Sequence, residues 1–250
     1  KMSREEQIIN ERKRKLAELR KIINPYPYKF DKKNFSKDIK DKFKKLRNNQ
    51  KTKNKIKIAG RIVNIRNLGK LIFANIQDSN GKIQIIVQKG VTNEKDFNLF
   101  KKYLDIGDIV GVNGFVMKTK TGEISVLVKR LEILSKSLLP LPEKWHGLKD
   151  EEERYRKRYI DLIMNSEVKE IFDKRTEIIN AIREFMNKKE IVEVETPYLQ
   201  TIYGGALAKP FKTHLNALDI DLYLAISPEL YLKRLIVGGY EKIFTISRNF

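Results

Sequence analysis

In the run from Leu71 to Asp78, Ile72, Ala74 and Ile76 alternate with Leu71, Phe73, Asn75 and Gln77, so a strand there turns a phenyl ring outward among amides. In the next run Ile83, Ile85 and Val87 face inward, leaving Gln84, Ile86 and Gln88 outside. An outward Phe73 beside an outward Gln84 supplies a π face for stacking and an amide that can read a base edge. The alternative is that Phe73 is covered by the N-terminal helix and Gln84 is ordinary surface. Farther along, Tyr203-Gly204-Gly205-Ala206 either lets backbone approach a ligand closely or simply makes a tight turn. Glu229 follows Ser227-Pro228 into the first turn of a helix, where the dipole stabilises a carboxylate without any ligand. At the mouth of a cleft the same carboxylate could hold an ammonium group through a charge-assisted hydrogen bond. Spacing alone favours the helix-end role.

Other chemistries lack their parts. There is no GxxxxGK[ST], GxGxxG or HExxH string. With no cysteine the chain has no disulfide, thiolate nucleophile or zinc ribbon, which fits a reducing compartment. His146 and His214 are far apart and read as structural or surface residues, and no metal ligand set is expected within this span. No apolar run approaches the roughly 20 residues that span a bilayer, and the first residues are too charged for a signal peptide. A soluble, internal protein without a membrane segment is therefore expected.

The elements that must position these residues follow from periodicity. Of the formal net charge of +20, residues 1–55 carry 20 basic and 7 acidic side chains, whereas residues 136–250 carry 19 and 18. The excess is N-terminal and reads either as an arm that meets a polyanion or as lysine-rich solvated faces. Ile8, Ile9, Leu16, Leu19, Ile22 and Ile23 predict a basic amphipathic helix over 3–23, stopped by Asn24-Pro25. From Ile56 the period becomes two. Strands are predicted over 56–66, 71–78, 83–88, 108–118 and 124–134, with a helix near 97–104 between the third and fourth. That order is the order of an OB-fold, a Greek-key barrel that binds single-stranded nucleic acid. Leu139-Pro140-Leu141-Pro142 reads as a stiff connector. Beyond it come a long amphipathic helix from Val168 to Met186, a strand over 191–194 ended by Pro197, strands over 222–226 and 243–247, and a helix between these with Ser227 as its N-cap. The expected fold is α+β, with four segments: a basic helical extension (1–55), the barrel (56–137), a linker (138–150) and the start of a domain of antiparallel strands and flanking helices (151–250).

The string FMNKKEIVEVETPYL (185–199) resembles motif 1 of the class II aminoacyl-tRNA synthetases, the helix and strand ending at Pro197 that form the dimer interface in that family. Four further strings narrow the resemblance to lysyl-tRNA synthetases: GRIVNIRNLGKLIFANIQDSNGKIQ (60–84), KTKTGEISV (118–126), LPEKWHGLKDEEERYRKRYIDL (141–162) and GGALAKPFKTHLNALDIDLYLAISPELYLKRLIVGG (204–239). The resemblance implies that the barrel binds an anticodon and that the second part begins a class II catalytic domain. It implies that Phe73 and Gln84 contact the central uridine, with Arg66 and Glu123 nearby. It also implies that the Gly205 backbone and Glu229 hold the α-amino group of lysine, with Ala206 beside them, which reverses the preference stated above for Glu229.

The implied reaction is attack of the lysine carboxylate on the α-phosphorus of ATP, with Mg²⁺, to give lysyl-adenylate and pyrophosphate, followed by transfer to tRNA(Lys). Such chemistry rests on positioning and charge stabilisation rather than on a protein nucleophile. The implied partners are tRNA(Lys), lysine, ATP and a second copy of the chain, in the cytoplasm with an organellar form not excluded. FTISRNF (244–250) resembles the approach to motif 2, so the arginine that grips ATP, motif 3 and the magnesium ligands are expected after Phe250, and the span as given is expected to be inactive. Alternative readings are an aspartyl- or asparaginyl-type synthetase, where a Gln is expected at the position of Glu229, and a non-catalytic tRNA-binding truncation. Stand-alone lysyl-transferring paralogues lack the N-terminal barrel.

Overall fold

The computed structural model describes residues 2–142 and 150–250, and the chain divides into two compact units, residues 1–147 and 148–250. His146 and most of the segment 141–150 lie outside the described residues.

The first unit is a closed five-stranded barrel carrying three helices. Helix α1 (Arg4–Arg20) opens on a reciprocal cap: the Ser3 hydroxyl accepts from the Glu6 amide and the Glu6 carboxylate from the Ser3 amide. Leu16 and Leu19 are buried, so α1 is docked on the unit by one apolar edge. Arg12 fixes the dock by donating to the carbonyls of Ile106, Ser137 and Leu139 at 2.9, 3.1 and 3.0 Å. Lys15 reaches Asp105 at 2.7 Å, and Asp105 shares the buried Lys136 with Asp108. Burial alone would raise both carboxyl groups. The ammonium groups of Lys136 and Lys15 nevertheless hold Asp105 below its ordinary value, whereas for Asp108 desolvation wins over Lys136 and pushes it up. The N-terminal segment is thus a packed helix rather than a free arm, and its Arg12 and Lys15 are spent on internal contacts.

After the short helix α2 (Ser36–Lys42), the strands are β1 (Lys51–Asn67), β2 (Leu71–Asp78), β3 (Gly81–Gln88), β4 (Ile109–Lys118) and β5 (Ile124–Ser135), with α3 (Glu94–Tyr103) between β3 and β4. The barrel order is β1-β2-β3-β5-β4; all neighbours are antiparallel except β3 and β5. This is the arrangement expected from the sequence. Strand β1 starts five residues before the expected Ile56: Lys51 and Lys55 pair with Met117 and Phe115 across a bulge, a backbone partnership that leaves no apolar alternation to read. The alternating residues Ile58, Ile62, Ile72, Ile76, Ile85 and Val112 meet in the core. Helix α3 is capped by Asn93, whose side chain accepts from the Lys95 and Asp96 amides, and it buries Phe97 and Phe100 in that core. Gly114 sits at a bulge where a Cβ would come within 2.2 Å of the Leu127 carbonyl oxygen, so a larger residue would separate β4 from β5.

Asp78 ties the turn of β2 and β3 to α2. It accepts from the Ser36 hydroxyl (2.6 Å), the amides of Ser36, Asn80 and Gly81, and the Lys32 ammonium at 3.0 Å. Burial works to raise its carboxyl group, but these donors prevail and hold it below its ordinary value.

The second unit holds α4 (Glu151–Arg156), α5 (Arg158–Met164), α6 (Ser166–Lys188), β6 (Val192–Glu193), β7 (Leu199–Gln200), β8 (Lys212–Leu215), β9 (Ile220–Leu224), α7 (Glu229–Val237) and β10 (Ile243–Phe244). Strands β7, β9 and β8 form an antiparallel sheet in that order, whereas β6 and β10 pair in parallel, a departure from the all-antiparallel expectation. The strand expected over 191–194 shrinks to Val192-Glu193, because β10 offers partners only for that stretch, and Pro197 lies beyond it in irregular backbone. Ser227 is displaced by one residue from the expected cap. Pro228 takes the cap position and the Ser227 hydroxyl accepts from the Glu229 amide at 3.2 Å. The long helix forms as expected, but of its apolar stripe only Val168 is buried, while Ile171, Ile178 and Phe185 are all more than half exposed. Among the described residues no helix is long and apolar enough to cross a membrane.

Candidate nucleic-acid interface and amino-acid pocket

The outer face of β1, β2 and β3, with the β4–β5 hairpin, forms an open groove of about 690 Å³. Phe73 lies on its floor, half-buried, with Arg66 of β1 and Ile86 of β3 as its cross-strand neighbours. The ring is therefore not hidden beneath α1. Ile86 was expected outside and does lie on this face, yet it is only 4 % exposed, because Phe73 on one side and Leu127 of β5 on the other cover it. Gln84 is paired with Asn75 on one side and Ser125 on the other.

The Ser125 hydroxyl donates to Gln84 Oε1 at 2.9 Å. That bond engages the amide oxygen and leaves Nε2 without a partner among the described residues, while the same hydroxyl also lies 3.3 Å from the Glu123 carbonyl oxygen. The groove therefore offers a ring to stack on and a donor aimed at a carbonyl acceptor. Its basic lining residues are Arg66, Lys51 and Lys120, and among the described residues no carboxylate lines it. Glu123 lies on the adjoining hairpin but not in the groove: its carboxylate faces Lys40 of α2 at 3.1 Å, and its carbonyl accepts from the Thr119 amide.

Sequence reasoning named Phe73, Gln84 and Arg66 and missed Ser125, Lys51 and Lys120. Ser125 had a signal, being the lone polar residue in Ile124-Ser125-Val126-Leu127-Val128. Lys120 had one too, in the turn of a hairpin flanked by lysine and threonine.

In the second unit the turn after β7 brings Gly205 against the start of α7. Gly205 has φ +83°, and a Cβ on it would fall 2.8 Å from the Glu229 Cβ and 2.9 Å from the Ser227 Oγ. Only glycine admits both that backbone conformation and that approach. Tyr203 packs on Tyr223 of β9 with ring centroids 4.8 Å apart, which anchors the turn, and Ala206 continues it on the surface. Glu229 is 45 % exposed in its side chain and receives the Lys233 ammonium at 2.5 Å, one helical turn away. The carboxylate is thus in reach of solvent and already arranged to accept an ammonium. Pro197 accepts at its carbonyl from Gln200 Nε2, and His214 is an exposed residue between Asp219 and Asp221. Among the described residues no three His, Cys, Asp or Glu side chains converge as metal ligands.

Residues 56–134 match a family model described as OB-fold nucleic acid binding domain, and residues 150–250 one described as tRNA synthetases class II (D, K and N). The lysine–tRNA ligase of Pelotomaculum thermopropionicum is 54 % identical over 245 residues, which is 98 % of this chain and 47 % of that protein. The chain belongs to the lysyl-tRNA synthetase family. Other family members give the same picture: the lysine–tRNA ligases of Methanoculleus marisnigri and Thermotoga maritima are 53 % and 48 % identical over 94 % and 96 % of this chain. They cover 46 % and 48 % of those proteins, so the chain spans about half the length of the curated relatives it matches. Within the family's two domains, the groove lies on the OB-fold and the Gly205–Glu229 turn in the class II domain.

Proposed function

We propose that this chain is the anticodon-reading and amino-acid-recognising portion of a lysine–tRNA ligase. In this reading the segment 56–137 is the anticodon domain, 138–150 a linker and 151–250 the first part of the catalytic domain. Phe73 stacks on the central base of the anticodon of tRNA(Lys), Gln84 donates to that base, and Arg66, Lys51 and Lys120 neutralise the adjoining phosphates. Glu123 supports the hairpin beside them. The Gly205 backbone and the Glu229 carboxylate take the α-amino group of lysine, with Lys233 yielding its place on Glu229 to the substrate.

The whole protein would join lysine to ATP as lysyl-adenylate, release pyrophosphate and pass lysine to tRNA(Lys). Among the described residues no three His, Cys, Asp or Glu side chains converge as ligands for the Mg²⁺ that would accompany ATP. A cytoplasmic homodimer is the matching assembly: the exposed Ile171, Ile178 and Phe185 on α6 are an apolar face that a second copy would cover.

The observation that carries the reading is the groove lined by a half-buried ring, an amide with its oxygen already bonded and three cations. The test is Phe73→Ala in the whole enzyme. Charging of tRNA(Lys) should fall by the worth of one stacked base, about 1–3 kcal/mol, while lysine-dependent ATP–pyrophosphate exchange stays unchanged. Equal loss in both reactions would refute the assignment.

A further inference from the structure

The barrel has a second basic groove, of about 370 Å³, on the ladder between β1 and β4. Its lining includes Phe115 and Asn113 on the outward face of β4, with Lys55, Lys57, Lys33 and Lys129 around them. The composition repeats that of the first groove: a half-buried ring, a side-chain amide and cations. The only carboxylate lining it is Asp31, which lies 3.7 Å from Lys33 and 3.9 Å from Lys57 and is shared between them. Lys55 and Lys129 are exposed and have no carboxylate partner among the described residues. The Lys57 ammonium sits over the Phe30 ring at 4.8 Å, and its backbone amide donates to Asn34, so that cation is held in place before anything binds. Four positive charges against one negative, around an aromatic floor, suit a polyanion with flat bases better than an isolated phosphate.

The two grooves are consecutive along the same strands. On β4, Asn113 and Phe115 line the second while Met117, and Thr119 just past the strand, line the first; on β1, Lys57 and Lys55 belong to the second and Lys51 to the first. Lys55 pairs with Phe115 and Lys51 with Met117, so the register carries one groove into the next. Outward residues two apart on a strand are separated by about 7 Å, a step that one extended nucleotide can bridge.

We infer that the β1–β4 groove is a second RNA site, which takes the phosphodiester backbone and one flanking base of the strand whose anticodon bases occupy the first groove. The inference rests on the reading of the first groove as the anticodon site. Binding would then gain affinity from Lys55 and Lys129 without gaining sequence choice, because phosphate contacts are the same for every base.

The test uses the full chain and two RNA probes, a uridine trinucleotide and a decanucleotide with the same three residues at its centre. Binding is followed between 50 and 200 mM salt for the parent, for Lys55→Gln/Lys129→Gln, for Phe73→Ala, and for a charge-matched control, Lys21→Gln/Lys37→Gln. In the first double variant the trinucleotide should bind as in the parent. The decanucleotide should lose about 1.4 from the slope of log K against log salt, about 0.7 for each lost single-strand contact. The charge-matched control should keep the parent slope. An unchanged decanucleotide slope, or equal loss with either probe or in the control, overturns the second site. Phe73→Ala should weaken both probes; if it weakens neither, the reading of the first groove fails, whatever the lysine variants show.

Discussion

Replacing Ser125 with alanine removes a hydroxyl that never touches RNA in the proposed complex, yet it should change which base the groove prefers. The hydroxyl holds Gln84 Oε1 at 2.9 Å and so leaves only the NH₂ group for the ligand. That donor suits the O4 acceptor of uracil and meets another donor at the amino group of cytosine. Without Ser125 the amide can rotate, and the penalty for presenting its oxygen to cytosine falls by roughly the net worth of one hydrogen bond, about 0.5–1.5 kcal/mol. At about 1.4 kcal/mol per tenfold, preference for a central uridine over a central cytidine should shrink about 2- to 12-fold. Affinity for the uridine RNA itself should change little. The assay is anisotropy of anticodon stem-loops that differ only at the central base, with parent and variant measured at one salt concentration. A preference that survives Ser125→Ala intact would refute the claim that this bond sets the orientation of Gln84. No preference in the parent would remove Gln84 as a reader.

Arg12→Met should cost about 3 kcal/mol in urea unfolding of the first unit, since three carbonyls lose a charged donor and each such bond is worth about 1.5–3 kcal/mol without full additivity; a loss below about 0.5 kcal/mol would mean that α1 docks without it. Asp78 is held below its ordinary value in the folded chain, so its contribution is complete above the unfolded pKa of about 3.9 and disappears as pH falls through the folded value. The parent should therefore lose stability more steeply below about pH 4 than Asp78→Asn, and parallel curves would deny Asp78 that role. Glu229→Gln in the whole enzyme should raise KM for lysine in ATP–pyrophosphate exchange and leave KM for ATP near its parent value. Unaltered lysine kinetics would return Glu229 to a helix-end charge.

The barrel was legible because β2 and most of β1 alternate cleanly and each turn carries glycine or asparagine, so the inward Ile72, Ala74 and Ile76 also dictated that Phe73 points out. Periodicity cannot see what covers an outward residue, and Ile86 was misplaced for that reason: its shelter is Phe73 and Leu127, which arrive from other strands. The five extra residues of β1 were hidden because pairing with β4 is a backbone matter and the side chains of Lys51 and Lys55 are all solvent-facing or polar. Net charge left open an arm for a polyanion or solvated lysine faces, since a count of lysines cannot register that Arg12 and Lys15 are engaged with Ile106, Ser137, Leu139 and Asp105. In the second unit, Gly205 and Glu229 are distant in the chain; spacing could not join them, the family resemblance did, and the folded turn sets one backbone against the other's side chain.

The parallel pairing of Gln84 with Ser125 belongs to the ladder that seals the barrel. Its partners lie on opposite sides of α3, 41 residues apart in the chain, so the contact that engages the glutamine oxygen needs a strand that the β2–β3 hairpin does not contain. The β2–β3 hairpin carries Phe73 and Gln84, whereas Ser125 is on β5. On the proposed reading, choice of base therefore depends on β5, which supplies the hydroxyl bonded to the glutamine oxygen. On that reading, a mutation that loosens the β3–β5 pairing should blunt base preference before it abolishes binding.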